Sequence, residues 1–194
     1  MIFTNDDKFG VVIWGLGSHS IKTVIPAIKK SKGAFLEGVF SNSLERSASI
    51  SRQFSCRYFN NQKEFLLDEK VKLIYVASPN IFHEINTKQC LQFKKSVIVE
   101  KPALINPPQL KKFIKICEKE NIFLIEAYMY KFHNLFLKLK KIINEKKYGN
   151  IKKAIINFTI PHINSNNFRY SSDSLGGAFN DLGGYTVNAT VNLF

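Results

Sequence analysis

Short apolar runs alternate with longer amphipathic stretches through the first two thirds of the chain. Residues 9–14 (FGVVIW) are apolar, rich in β-formers and followed by glycine. Residues 35–40 (FLEGVF), 73–77 (LIYVA), 96–100 (SVIVE) and 122–126 (IFLIE) repeat that character, and a weaker run, 57–59, falls between the second and third. Runs that are apolar without alternation predict strands buried on both faces, as in a parallel sheet. The stretches between them have helical periodicity. In 108–121, Leu110, Phe113, Ile114, Ile116 and Cys117 recur at helical spacing with Lys and Glu between them. Strands alternating with helices predict βαβ units, hence an α/β fold with a doubly wound parallel sheet.

The pattern changes after Glu126. Residues 134–147 predict an amphipathic helix with Leu135, Leu139 and Ile142 on one face, Phe136 and Ile143 beside it, and a stop at Tyr148-Gly149-Asn150. Residues 151–160 predict a long strand ended by Pro161. Residues 162–174 are polar and irregular, and 178–194 predict a helix weakened by Gly183 and Gly184. We therefore expect one domain over 1–126, followed over 127–194 by the beginning of an incomplete α+β domain.

Composition narrows the class. At 45% hydrophobic and 22% charged residues the chain has the apolar surface to fold. No apolar run approaches the ~18 residues of a membrane-spanning helix, so no membrane partner is expected. The opening MIFTNDD lacks a secretory pattern. Cys56, Cys90 and Cys117 are odd in number and far apart, which predicts reduced thiols and a cytoplasmic location. The net charge of +13 raises the question of nucleic acid, but only 4 of the 28 basic residues are Arg. Arg reads phosphates and bases better than Lys, so a solvated lysine-rich surface is expected and no nucleic-acid partner. No metal site is expected.

Candidate chemistry clusters at strand ends. Gly15-Leu16-Gly17-Ser18-His19-Ser20 follows the first strand, in the place of a dinucleotide-binding GxGxxG. Gly15 would make the tight turn, Gly17 would admit a diphosphate to the backbone, and Ser20 replaces the third glycine. The second strand ends Ser41-Asn42 with no acid to hold a ribose 2′-hydroxyl, Glu37 lies inside the strand, and Arg46 follows within reach of a 2′-phosphate. That leans the expected cofactor from NAD toward NADP. Ser78-Pro79-Asn80 with His83 could line a nicotinamide pocket; alternatively Asn80 caps the next helix. Glu100-Lys101-Pro102 closes the fifth strand, at the edge where doubly wound folds bind ligands. Asp181 and Tyr185, four apart, would share one face of a helix, and a Tyr hydroxyl beside a lysine ammonium can serve as general acid or base.

GLGSHS, SPNIFHE, VIVEKPALIN, IEAYMYKFHN, YGNIKKAIINFTI and LGGAFNDLGGYTVNATVNLF run in the order found in the glucose–fructose oxidoreductase / inositol dehydrogenase (Gfo/Idh/MocA) family, which the chain resembles over nearly its whole length. The resemblance implies a Rossmann domain, a substrate domain on a large open sheet, bound NAD or NADP, and hydride exchange with a sugar, polyol or similar alcohol. It implies that Lys101 is the catalytic lysine of EKP, Asp181 the motif aspartate, and Tyr185 the tyrosine of members similar to dihydrodiol and sugar dehydrogenases. Lys131 stands where the family's MYRFHP has Arg and joins the cofactor-binding set with Gly15, Gly17, Ser18, His19, Ser41, Asn42, Arg46, Ser78, Pro79, Asn80, His83, Glu100 and Lys101. Family members continue well past the GGY helix, so the chain is expected to be a homo-oligomer or to lack a C-terminal segment. Two alternatives stand beside the oxidoreductase: a nucleotide-binding remnant or half of a split protein, and an NAD-dependent glycosidase on the same scaffold.

Overall fold

A computed structural model describes residues 8–104, 106–164, 167–171 and 176–194. Residues 1–7, which carry most of the chain start read above, and 165, 166 and 172–174 of the expected irregular stretch lie outside the described residues. The chain divides into two compact units, 1–126 and 127–194.

The first unit is a six-stranded sheet built from β1 (Phe9–Trp14), β2 (Ala34–Phe40), β3 (Arg57–Tyr58), β4 (Val71–Val76), β5 (Ser96–Val99) and β6 (Leu124–Glu126), in the order β3-β2-β1-β4-β5-β6. Every neighbouring pair is parallel. The connections carry α1 (Ile25–Lys30), α2 (Leu44–Phe54), α3 (Gln62–Leu67), α4 (His83–Gln92) and α5 (Pro107–Glu120). Right-handed crossovers in this strand order place helices on both faces. All six apolar runs, including the weak third, are strands.

Register aligns the carboxyl ends. Phe40, Trp14, Val76, Val99 and Glu126 lie side by side across five strands. The residues that follow, Ser41, Gly15, Ala77 and Glu100, therefore leave the sheet along one edge. Beneath it the core closes on Phe65, which meets Trp14 at 5.3 Å and Phe40 and Phe59 at 5.5 Å between ring centres. Side-chain caps fix helix starts: Ser43 accepts from the Arg46 amide at α2 and Asn61 from the Glu64 amide at α3. One lysine departs from the solvated reading. Lys95 is buried, its Nζ donates to the carbonyls of Asp68 and Val71, and burial lowers its pKa.

The second unit holds a 3₁₀ turn (Met129–Phe132), α6 (Asn134–Asn144), a 3₁₀ turn (Phe168–Tyr170), a π-helical turn (Phe179–Gly183) and α7 (Gly184–Leu193). The strand expected over 151–160 is not formed; these residues carry no regular structure and most are exposed. Alternating apolar residues make a strand only when a neighbour takes their backbone groups, and no strand pairs with them among the described residues. The α6 face also departs from expectation, for Leu135 and Leu139 are exposed.

Candidate functional site

The glycine loop after β1 is built by the sheet. The Gly15 amide donates to the Phe40 carbonyl at 2.9 Å, and the Ala77 amide donates to the Trp14 carbonyl at 2.8 Å. Gly15 has φ +113°, and a Cβ there would overlap the backbone of Ala77 and Ser78, so both the turn and its contact require glycine. Gly17 differs: it is exposed, and a Cβ would meet no protein atom within 4 Å. The helix begins at Ser18, and the Ile21 amide closes its first turn on the Gly17 carbonyl at 3.1 Å. Ser20, in place of the third glycine, is buried. The loop thus offers open space against glycine backbone at a helix amino end, which fits a cofactor diphosphate. It does so at the point where the order reverses between β1 and β4, the ligand crevice of doubly wound sheets.

On the β2 side, the Ser41 amide donates to Ser47 Oγ at 2.9 Å, and Ser41 Oγ donates to the Ser43 carbonyl at 2.9 Å. Asn42 is exposed. Arg46 Nε donates to the Leu16 carbonyl at 2.8 Å, so its guanidinium ties α2 to the glycine loop. It also borders a shallow groove of about 370 Å³ lined by Ser43, Glu45, Ser49 and Ile50.

On the β4–β5 side, Glu100 joins two elements. Its Oε1 accepts from the Tyr75 hydroxyl at 2.5 Å and lies 3.2 Å from His19 Nε2, next to the glycine loop. Lys101 follows, half-buried, and its peptide bond to Pro102 is cis. The next amide, Ala103, donates to Glu126 Oε1 at 2.9 Å. His83 is buried, with Nδ1 2.8 Å from the Pro102 carbonyl oxygen and Nε2 2.8 Å from that of Ser78. Asn80 does not cap α4; it opens a separate 3₁₀ turn (Asn80–Phe82) that makes no side-chain cap. A capping Asn sits just outside its helix, and that turn intervenes.

In the second unit, Asp181 is 6% exposed and accepts from Arg169 Nε at 2.6 Å. Tyr185 packs among Tyr128 (5.2 Å), Tyr130 (5.9 Å) and Phe158 (5.0 Å). Tyr130 donates to Asn188 Oδ1 at 2.6 Å, and burial raises its pKa. The shared face expected of Asp181 and Tyr185 assumed an unbroken α-helix. A π turn with more residues per turn holds Asp181 and leads into the helix that carries Tyr185. Lys131 sits half-buried in the turn before α6.

Three residues escaped the sequence reading. Arg169 could have drawn notice as one of only four arginines. Tyr75 was hidden inside an apolar run. Tyr128 was hidden because only the backbone at Gly184 explains it: a Cβ there would overlap the Tyr128 hydroxyl. Chemically, the first unit presents an anion cradle flanked by polar turns and a lysine, and the second presents a tyrosine in an aromatic cluster and an aspartate paired with an arginine.

Comparison with known proteins agrees with this geometry. The chain is 23% identical over 89% of its length to a dTDP-3,4-didehydro-2,6-dideoxy-alpha-D-glucose 3-reductase from Streptomyces violaceoruber, covering 51% of that protein. It is 26% identical over 80% of its length to a trans-1,2-dihydrobenzene-1,2-diol dehydrogenase from Xenopus laevis, covering 47% of it. A solved 3-ketoreductase from Actinomadura kijaniata, in complex with NADP and TDP-benzene, shares the fold with a TM-score of 0.86 at 23% identity, over 94% of this chain and 56% of that one. The chain spans about half the length of the curated relatives it matches. Residues 9–128 match the model of the Gfo/Idh/MocA oxidoreductases, described as an oxidoreductase family with an NAD-binding Rossmann fold, and the chain belongs to that family.

Proposed function

We propose that this chain is the nucleotide-binding part of an NAD(P)-dependent oxidoreductase acting on a sugar, polyol or related carbonyl, with residues 127–194 beginning its substrate domain. The observation that carries the reading is the glycine loop: Gly15 locked against Ala77, and Gly17 open to solvent at a helix amino end. The relatives reduce a nucleotide-linked sugar or oxidise a dihydrodiol, which supports a substrate rich in hydroxyls.

Gly15, Gly17, Ser18 and His19 would hold the diphosphate. Ser41, Asn42 and Arg46 would hold the adenosine ribose, and Ser78, Pro79, Asn80, Glu100 and Lys131 would support the remaining half. A bound nicotinamide supplies the hydride chemistry. Lys101 polarises the substrate oxygen, Tyr185 moves its proton, and Asp181, neutralised by Arg169, steadies the helix that carries Tyr185. The lean to NADP rests on the absence of an acid after β2, on Arg46, and on relatives such as a D-xylose 1-dehydrogenase (NADP(+)) from Hypocrea jecorina. Exposed Leu135 and Leu139 and the unpaired 151–160 segment favour a second reading, a nucleotide-binding piece that needs a partner for turnover.

The test is fluorescence titration of residues 1–194 with NADPH and NADH. Gly17→Val should fill the open space and abolish tight binding, and equal affinity of wild type and variant would refute the cradle. Arg46→Ala should weaken NADPH more than NADH. Where turnover is measurable, Tyr185→Phe should lower it by ~10²–10⁴-fold, the usual worth of a general acid or base, with cofactor affinity unchanged.

A further inference from the structure

His83 opens α4 and is 1% exposed. Both of its ring nitrogens face backbone carbonyls, Nδ1 that of Pro102 and Nε2 that of Ser78, each at 2.8 Å. Carbonyl oxygens only accept, so whichever ring nitrogen carries the proton donates to the carbonyl it faces, and the other edge of the ring packs against the second loop. An imidazole placed this way has no edge left for a ligand. Ser78 is the second residue past β4, and Pro102 the third past β5. These strands are neighbours, so one side chain spans the two loops that leave their carboxyl ends. Asn86, three residues further along α4, donates from Nδ2 to Ser78 Oγ at 2.9 Å, and the same helix thereby holds that loop twice.

We propose that His83 is a positioning residue: it clamps the Ser78–Asn80 loop to the Lys101–Pro102 loop and so sets the half of the cofactor site that crosses β4 and β5. This rests on the cofactor reading above. With the diphosphate on the loop after β1 and the adenosine beyond β2, the other nucleotide runs toward β4 and β5. Pro102 is bonded to Lys101, so the clamp also fixes the backbone from which the Lys101 side chain starts. Removing the ring strands the carbonyl it donates to and leaves the two loops without their common neighbour.

Two measurements on the 1–194 chain test this. In the first, amide hydrogen exchange compares wild type with His83→Phe, which keeps a flat ring and loses both ring nitrogens. The Phe82 amide, bonded to the Pro79 carbonyl, and the Ala103 amide, bonded to Glu126, report on the two loops. Both should exchange about tenfold faster or more, while Gly15 and Ala77, held by the sheet, stay as in wild type. In the second, NADPH and 2′-phospho-ADP-ribose, which lacks the nicotinamide, are titrated separately. His83→Phe should weaken NADPH by about tenfold and leave the fragment within about twofold. His83→Gln, which keeps an amide N–H group able to donate to a loop carbonyl, should fall between, and it stands in if the Phe variant does not fold. Unchanged exchange at both loops, or equal weakening of both ligands, overturns the clamp. Failure of wild type to bind either ligand instead refutes the cofactor reading, and the exchange result still decides whether the loops are joined.

Discussion

In the first unit, Phe65 meets Trp14, Phe40 and Phe59 edge to face or tilted, and each of the four rings is at most 4% exposed. In the second, Leu135 is 71% exposed, Val191 75% and Phe179 77%. Both units are rich in large apolar side chains, so composition does not separate them. The difference is closure. The six-stranded sheet gives each apolar run a neighbouring strand, and its central strands β1 and β4 bury nearly every residue. Two helices and an extended segment do not. What the second unit buries includes two specific contacts: Asp181 against Arg169, and the Tyr128 hydroxyl against the backbone of Gly184.

The strongest way to break this comparison is to delete one apolar side chain from each unit. Phe65→Ala removes the ring on which Trp14, Phe40 and Phe59 meet and should cost ~3–5 kcal/mol. Leu135→Ala removes a side chain that faces solvent and should fall within ~0.5 kcal/mol of wild type. Urea unfolding followed by far-UV circular dichroism measures both. A loss at Leu135 as large as at Phe65 would mean that the α6 face is covered in solution.

The contrast also explains what could be read in advance. The central strands β1 and β4 were legible because near-continuous burial leaves no polar alternation to hide them, and even the two-residue, exposed β3 showed as a weak run. The carboxyl-edge motifs were legible because glycine at a turn and polar residues after a strand are local signals. The 151–160 strand failed because its pattern is local but its existence depends on a partner. The double engagement of His83 was out of reach for the opposite reason. Its ring nitrogens face backbone carbonyls at Ser78 and Pro102, and carbonyls leave no trace in side-chain identity. Asp181 and Tyr185 were found as residues, while the π turn between them could not be inferred from spacing.

The contact at Gly184 sharpens the comparison inside the second unit. Gly184→Ala places a methyl where the Tyr128 hydroxyl lies and should destabilise by ~1–3 kcal/mol, as overpacking does. Tyr128→Phe removes that hydroxyl and keeps the ring. The double variant should therefore recover much of the loss, giving a non-additive cycle. Strict additivity would show that the second unit tolerates the methyl by moving, and is looser there than its buried tyrosine implies.

The smallest effect expected is at the edge of the first unit and depends on pH. Arg57, on the edge strand β3, donates to Glu37 on β2 at 2.7 Å and to Asp68 ahead of β4 at 2.8 Å. Burial alone would raise the Asp68 pKa. The Lys70 amide and the Arg57 guanidinium outweigh it and hold the carboxyl below its ordinary 3.8. A carboxylate with a depressed folded pKa contributes stability that is complete above its unfolded value and is lost as pH falls through the folded one. Stability should thus be flat from neutrality down to about pH 4 as far as this group is concerned, then fall. The amount should stay below ~1 kcal/mol, because half of the Arg57 side chain is in water and solvent screens the pair. Arg57→Ala should remove most of that acid-side fall and leave the neutral plateau only slightly lower. Urea midpoints at pH 7 and pH 3 for both proteins measure it. An equal acid loss in wild type and variant would place the titrating group elsewhere and leave β3 held by its backbone pairing to β2 alone.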